Sequence, residues 1–253
     1  MTMHIDGIVI GGGPAGMLAA IVAAKNGQKV LLLERNDRLG KKLLITGKGR
    51  CNVTNHCAAS EVLQQVPRNG RFLYSAMDSF PPEKVEAFFE ENGCSLKVER
   101  GNRVFPQSDK AISVVECLQK LLKKHHVQIC NERAREILTD EDRAVGVITD
   151  KGVYTGNWVI LATGGVSYPT TGSTGDGYEM ARKLGHTIVP TEGSLVPLET
   201  VGPDCPDMQG LSLRNVGVKL VNAKARFYIK ILENFFLHIL AFPDLRCSAP
   251  VPT

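Results

Sequence analysis

Six residues near the start of the chain, Gly11-Gly12-Gly13-Pro14-Ala15-Gly16, constrain its folding more than any other feature, because of what flanks them. Residues 5–10 form a short apolar run, residues 14–26 an Ala-rich stretch of helical character, and residues 30–33 a second apolar run that ends at Glu34. Short apolar runs on either side of a helical stretch read as β-α-β. Pro14 at the first helical position has no N–H to leave unpaired, and Gly27 stands where a left-handed helix terminator belongs. Within the turn, Gly11 permits the tight bend, Gly13 lets the backbone approach a pyrophosphate, and Gly16 lets the helix pack against the strand. The free N–H groups and the helix dipole then face the anion. Glu34, 18 residues beyond Gly16, would accept hydrogen bonds from a ribose 2′- and 3′-hydroxyl pair and repel a 2′-phosphate. A glycine turn can serve backbone geometry alone; strand, helix and acid together point to a bound dinucleotide.

Further along, helical patterns span 70–80, 82–92 and 108–125, the last with Ile112, Val115, Leu118, Leu121 and Leu122 on one face. Residues 127–130 read as a third parallel strand. Three short runs, 134–138, 144–149 and 152–155, are separated by Asp- and Gly-containing turns and read as an antiparallel meander. Residues 158–162 return as a buried apolar strand, and 176–184 form a helix ending at Gly185, with Asp176 as its N-cap. The fold class is therefore α/β, a Rossmann-like domain with a parallel sheet and a β-meander. From Ser194 to Val221, Pro, Gly and alternating Val and Leu point to short strands of a different, all-β unit. The domain boundaries expected are 1–193, 194–226 and 227–253.

Composition narrows the function. At 253 residues, with 43% hydrophobic and 22% charged residues, the chain has length and apolar content for a large core. A net charge of +4 with scattered Lys and Arg does not by itself suggest a nucleic-acid partner. Seven cysteines without a C-x-x-C pair argue for a reducing, cytoplasmic setting and against a structural metal site. No stretch has the roughly 20 uninterrupted apolar residues of a membrane span. Cys51 reads as a packed or cofactor-contacting thiol, and His125 and His126 as groups at a helix C-terminus.

A second constellation runs from Gly40-Lys41-Lys42 through Thr46-Gly47-Lys48-Gly49-Arg50-Cys51-Asn52. Its glycines allow close backbone approach, and Lys41, Lys42, Lys48 and Arg50 offer charge to a diphosphate or an anionic reduced flavin. A solvated basic loop is the plainer reading of the same composition. Together with the first turn and ILATGGVSYPTTGSTGDGYEMARKLGH at 160–186, the stretch GKKLLITGKGRCNVTN at 40–55 resembles the BaiN family of NAD(P)/FAD-dependent oxidoreductases, also labelled aminoacetone-oxidase-like flavoproteins. The resemblance runs from about residue 5 to 221. It implies a glutathione-reductase-type flavin fold with the start of an inserted all-β substrate domain, and FAD at the Gly11 turn. It places Glu34 on the adenosine ribose, counts Arg35 among the cofactor-binding residues, and puts the Arg50-Cys51-Asn52 loop near the flavin, Ala134 near adenine, and Ala162-Thr163-Gly164 over the cofactor.

The activity so implied is hydride transfer through the flavin between NAD(P)H or another reductant and a small organic substrate, without membrane or nucleic-acid partners. A flavin-linked enzyme modifying tRNA or another nucleic acid is the alternative, supported if a basic face extends from Lys41 and Arg50; a nucleotide-binding fragment without turnover is another. No catalytic acid or base is identified. Between Phe227 and Phe242 twelve of sixteen residues are apolar, a sharp change in composition. One permitted back-translation of residues 237–247, read in another frame, yields a segment like that expected in the family's substrate domain. Residues 227–253 are accordingly expected to be an out-of-frame tail of a truncated chain, with weak FAD retention as its consequence.

Overall fold

The computed structural model describes residues 5–193 and the backbone of two later strands. In chain order the elements are β1 (Gly7–Ile10), α1 (Pro14–Lys25), β2 (Val30–Leu33), β3 (Thr54–Asn55), α2 (Ala59–Gln64), α3 (Tyr74–Ser79), α4 (Pro82–Glu91), β4 (Leu96–Glu99), β5 (Arg103–Pro106), α5 (Ala111–Lys124), β6 (Gln128–Cys130), β7 (Ala134–Asp140), β8 (Arg143–Thr149), β9 (Val153–Thr155), β10 (Trp158–Leu161), α6 (Asp176–Lys183), β11 (Val216–Val221) and β12 (Phe227–Glu233). They fall into two units, Met1–Ile188 and Val189–Thr253.

The first unit is organised by a parallel sheet of order β10-β1-β2-β6. Strand side chains alternate between faces, and the alternation sorts the apolar residues into two cores. Val9 and Leu32 pack with Met17, Ala20 and Ile21 of α1 and Val114, Leu118 and Leu122 of α5. Ile8, Ile10, Leu31 and Leu33 pack on the opposite face with Ala134, Ile137 and Val147 of the antiparallel β7-β8-β9 meander and Met180 of α6. Burying one such side chain contributes about 1.5–3 kcal/mol, so this helix–sheet–meander sandwich is what holds the strand ends in place.

The β-α-β start, the third parallel strand, the meander and the three longer helices form as their patterns predict. Gly27 has the left-handed φ of 83° beyond α1, and His125 caps α5. Three expectations are corrected. Ile112 is 41% exposed, because Ala111, Val114 and Cys117, rather than Ile112, complete the buried stripe of α5. Residues 158–161 form an edge strand with Ile160 38% exposed, not a buried one, since β10 has β1 on one side only among the described residues. The N-cap of α6 is Gly175 at φ 83°, and Asp176 is the first helical residue. A three-stranded antiparallel sheet, β3-β5-β4, was not foreseen; its strands are two to four residues long, and Lys97, Glu99 and Arg103 mask their alternation.

In the second unit β11 and β12 pair antiparallel, with a register shift between Leu220 and Val221. The remainder of the expected 194–226 β unit, and the expected aberrant tail beyond residue 233, lie outside the described residues.

Candidate cofactor site

In an open parallel sheet the crevice outside the strand C-termini, where successive connections leave in opposite directions, is the usual ligand position. Here β1 is that switch point, with β2 on one side and β10 on the other. A cavity of about 330 Å³ opens there, bounded by the ends of β1 and β2, the start of α1, the residues after β10, the start of β7 and the start of α6. That volume lies in the range of small-molecule sites.

The glycine turn is closed on three sides and open on one. Gly11 adopts φ 109°, and a side chain there would run into the Ala162 carbonyl, while a Cβ on Gly16 would overlap the Gly11 carbonyl oxygen. A Cβ on Gly12 would stand 2.9 Å from a Glu34 carboxylate oxygen. At Gly13 a Cβ would meet nothing within 4 Å, and this residue lines the cavity. Helix α1 begins immediately after it with Pro14, no side-chain cap and no acid in its first turn. Its exposed N–H groups and positive dipole end are therefore unneutralised by the side chains of that turn.

Glu34 is 8% exposed. Its Oε2 accepts the Gly12 N–H at 2.7 Å, and its Oε1 accepts both the backbone and side-chain N–H groups of Asn36 at 2.7 Å. A carboxylate oxygen has about two acceptor sites, so Oε2 keeps one beyond its bond to Gly12. Asn131 donates to the Glu34 and Asn36 carbonyls, tying the segment before β7 to the end of β2. A turn open only at Gly13, uncapped helix N–H groups beside it, and a fixed carboxylate form a donor and acceptor set that fits a diphosphate joined to a ribose.

Of the residues singled out in the sequence, Gly11, Gly12, Gly13, Pro14, Ala15, Glu34, Arg35, Lys41, Lys42, Ala134, Ala162, Thr163 and Gly164 line this cavity. Gly16 lies behind it, packed on Gly11. Gly47, Arg50, Cys51 and Asn52 do not line it. The reading of Arg50 as a charge free for a diphosphate is corrected: its guanidinium is paired with Glu99 and Asp109 and stacked 4.1 Å from the Phe105 ring centroid. The Arg50 hydrogen bond holds the Glu99 carboxyl below the usual carboxylate range. Glu99 and Asp109 thus offset the Arg50 charge. The Asn52 amide, with its nitrogen turned toward them, donates to the Val104 and Thr54 carbonyls at 3.1 and 2.9 Å, fixing the loop to β5.

Cys51 is buried in the helix-side core at φ 63°, and burial pushes its thiol up despite a hydrogen bond with Thr46. A nucleophilic thiol needs the opposite, a lowered pKa and access. Iodoacetamide at pH 8 should therefore leave Cys51 unmodified in the native chain and label it in urea, as read by peptide mass mapping.

Sequence reasoning singled out Arg35 and Asp176 separately but missed Arg133 and the cluster the three form in the far wall. Asp176 accepts from Arg35 at 2.8 Å and from Arg133 at 2.7 Å through one oxygen, and from Thr174 at 2.5 Å through the other. All of Arg35, Arg133 and Asp176 line the cavity. Burial pushes the Asp176 carboxyl up, but the Thr174 hydroxyl and the two guanidiniums outweigh it and hold it below its ordinary value. Because the folded value is lowered, the stability it contributes is present at neutral pH and is lost as pH falls below about 4. Asp176→Asn should cost about 1–2 kcal/mol at pH 7. Thermal unfolding should show a difference of a few degrees that shrinks toward pH 3. Glu132, also lining the cavity, accepts hydrogen bonds from Thr149 at 2.6 Å and Tyr154 at 2.9 Å. The doubled glycines of TGSTGDG and the polar run 131–133 were the signals available for this wall.

Comparison with known proteins bears on this geometry. A family model described as the HI0933-like protein Rossmann domain matches residues 5–237. The chain is 35% identical over 193 residues to the 3-dehydro-bile acid delta(4,6)-reductase of Clostridium scindens, covering 76% of this chain and 46% of that protein. It is 31% identical over 213 residues to the ribosomal RNA dihydrouridine synthase of Escherichia coli, covering 83% of this chain and 52% of that protein. The chain thus spans about half the length of these relatives. An open-conformation flavocytochrome c3 fumarate reductase shares the fold, with a TM-score of 0.51 and 21% identity over 72% of this chain and 41% of that one.

Proposed function

The chain belongs to the HI0933-like Rossmann-domain family, and from that premise we propose that it is the cofactor-binding part of an FAD-dependent oxidoreductase that reduces a carbon–carbon double bond conjugated to a carbonyl. The single observation that carries the dinucleotide reading is the site geometry, a glycine turn open only at Gly13 beside a buried Glu34 whose Oε2 keeps acceptor capacity; the resemblance of the stretches at 40–55 and 160–186 to BaiN-like flavoproteins selects FAD. In this reading the first-turn N–H groups of α1 donate to the diphosphate, Glu34 accepts from the adenosine ribose, and Lys41 and Lys42 balance the diphosphate charge. Arg35 and Arg133, clamped by Asp176, close the far wall against water. FAD supplies hydride transfer when bound; the chain's residues bind and orient it.

The substrate class rests on what the two relatives share. A delta(4,6)-reductase acting on a 3-dehydro compound and a synthase producing dihydrouridine both saturate a carbon–carbon bond in conjugation with a carbonyl. We keep both substrate scales, a small polycyclic ketone of the kind handled by BaiN-like proteins and an RNA base. NAD(P)H is the proposed reductant. FAD titration carried to saturation, as the expected weak retention requires, followed by anaerobic addition of NADH or NADPH tests the reading: the flavin absorbance should bleach and return on addition of a conjugated enone. Failure of the chain to bind FAD at all would refute it.

A further inference from the structure

Away from the cofactor cavity, the residues between α2 and α3 form a surface that the proposed flavin chemistry does not use. Asn69 adopts a left-handed φ of 55° and turns the chain sharply. The turn presents Arg68, Arg71, Phe72 and Tyr74 to solvent, with Phe72 87% and Tyr74 55% exposed. From Gln64 to Met77 there is no acidic residue. Neither the Arg68 nor the Arg71 guanidinium has a hydrogen-bond or ion-pair partner among the described residues. Beside the turn lies an open groove of about 730 Å³ with Leu63, Met77 and Tyr74 among its walls, Ser60 and Gln64 as hydrogen-bonding groups, and Asp78 as its one carboxylate.

We propose that this turn and groove form a contact site for single-stranded RNA, in which Phe72 and Tyr74 stack on unpaired bases and Arg68 and Arg71 pair with phosphates. Exposed aromatic rings interleaved with unpaired guanidiniums are the elements of sequence-tolerant single-strand recognition: rings take any base face, and the cations follow the backbone. A peptide or a second copy of the chain would cover the rings but need not set an anionic group beside each arginine, whereas an RNA strand supplies a phosphate at every nucleotide. The net charge of +4 is uninformative here because it averages over 253 residues. The RNA-substrate branch of the proposed function supplies the context for this inference, and its test requires no flavin.

Fluorescence anisotropy with a labelled oligouridylate and a duplex RNA of equal length provides that test. The wild type should prefer the single strand. The double variant Phe72→Ala/Tyr74→Ala should bind it at least tenfold more weakly at every salt concentration. Arg68→Gln/Arg71→Gln should reduce the slope of log affinity against log salt by about 1.4, the value for two phosphate contacts on a single strand. FAD titration should be unchanged in both variants, which separates failure here from failure of the flavin reading. Absence of RNA binding by the wild type, equal binding by the variants, or a dimer in light scattering that Phe72→Ala dissolves without any RNA binding would each overturn the proposal.

Discussion

Replacing Glu34 by alanine is expected to abolish measurable FAD binding and to cost about 2–5 kcal/mol of stability. The second figure follows from what the substitution strands. The buried Gly12 N–H and the part-buried backbone and side-chain N–H groups of Asn36 all donate to this carboxylate; the buried donor left unpaired costs about 1–3 kcal/mol, and the two that water can reach cost less. Against a typical net stability of about 5–15 kcal/mol, the loss should be plain in urea unfolding. Glu34→Gln separates the two effects. Its side chain is of similar size, but its NH2 group cannot accept from the N–H donors at both ends, and it carries no charge for ribose hydroxyls. It should unfold nearer to the wild type yet bind FAD at least tenfold more weakly, since hydrogen bonds to a charged group contribute about 1.5–3 kcal/mol.

The second large effect contrasts two glycines three residues apart. Gly16→Ala puts a methyl group on the Gly11 carbonyl oxygen. Backbone cannot yield as a side-chain end does, so α1 must lift from β1; overpacking of this kind costs roughly 1–3 kcal/mol and sometimes more, and the turn is lost with it. Gly13→Ala has no such conflict. Gly13 has φ −77° and ψ 178°, an extended conformation open to any residue, and its Cβ would meet no protein atom. The fold should therefore lose only about 0.5–1 kcal/mol with alanine at 13, the N-cap preference for glycine, while FAD affinity falls because the methyl group occupies the approach to the turn. Circular dichroism melts and FAD titrations on both variants provide the comparison. A Gly13→Ala chain that binds FAD as the wild type does would remove Gly13 from the site.

The β-α-β start was legible because its signals are local: Gly11, Gly13 and Gly16 each answer a backbone requirement, and Glu34 follows the strand that must carry it. The meander was legible for the same reason, its turns being marked by Asp and Gly. What stayed hidden depends on distant partners. Arg50 looks available in sequence, yet Glu99 and Asp109, 49 and 59 residues away, occupy it. Asp176 reads as a cap because capping is its commonest local use. Its pairing with Arg35, 141 residues away, requires knowing that α6 packs over the end of β2. Ile112 shows the limit of periodicity: the buried stripe runs through Ala111, Val114, Val115 and Leu118 and leaves Ile112 at its margin.

The central claim is that the glycine turn and Glu34 together hold an adenosine diphosphate whose ribose 2′-hydroxyl is free. Calorimetric titration of the wild-type chain with ADP and, separately, with 2′-phospho-ADP, which keeps the 5′-diphosphate and adds only the 2′-phosphate, tests it most directly. ADP should bind at one site in competition with FAD, and the 2′-phosphorylated nucleotide should bind at least tenfold more weakly because its phosphate would face the Glu34 carboxylate. Equal or tighter binding of the 2′-phosphorylated nucleotide, or ADP binding that leaves FAD undisplaced, would contradict the account.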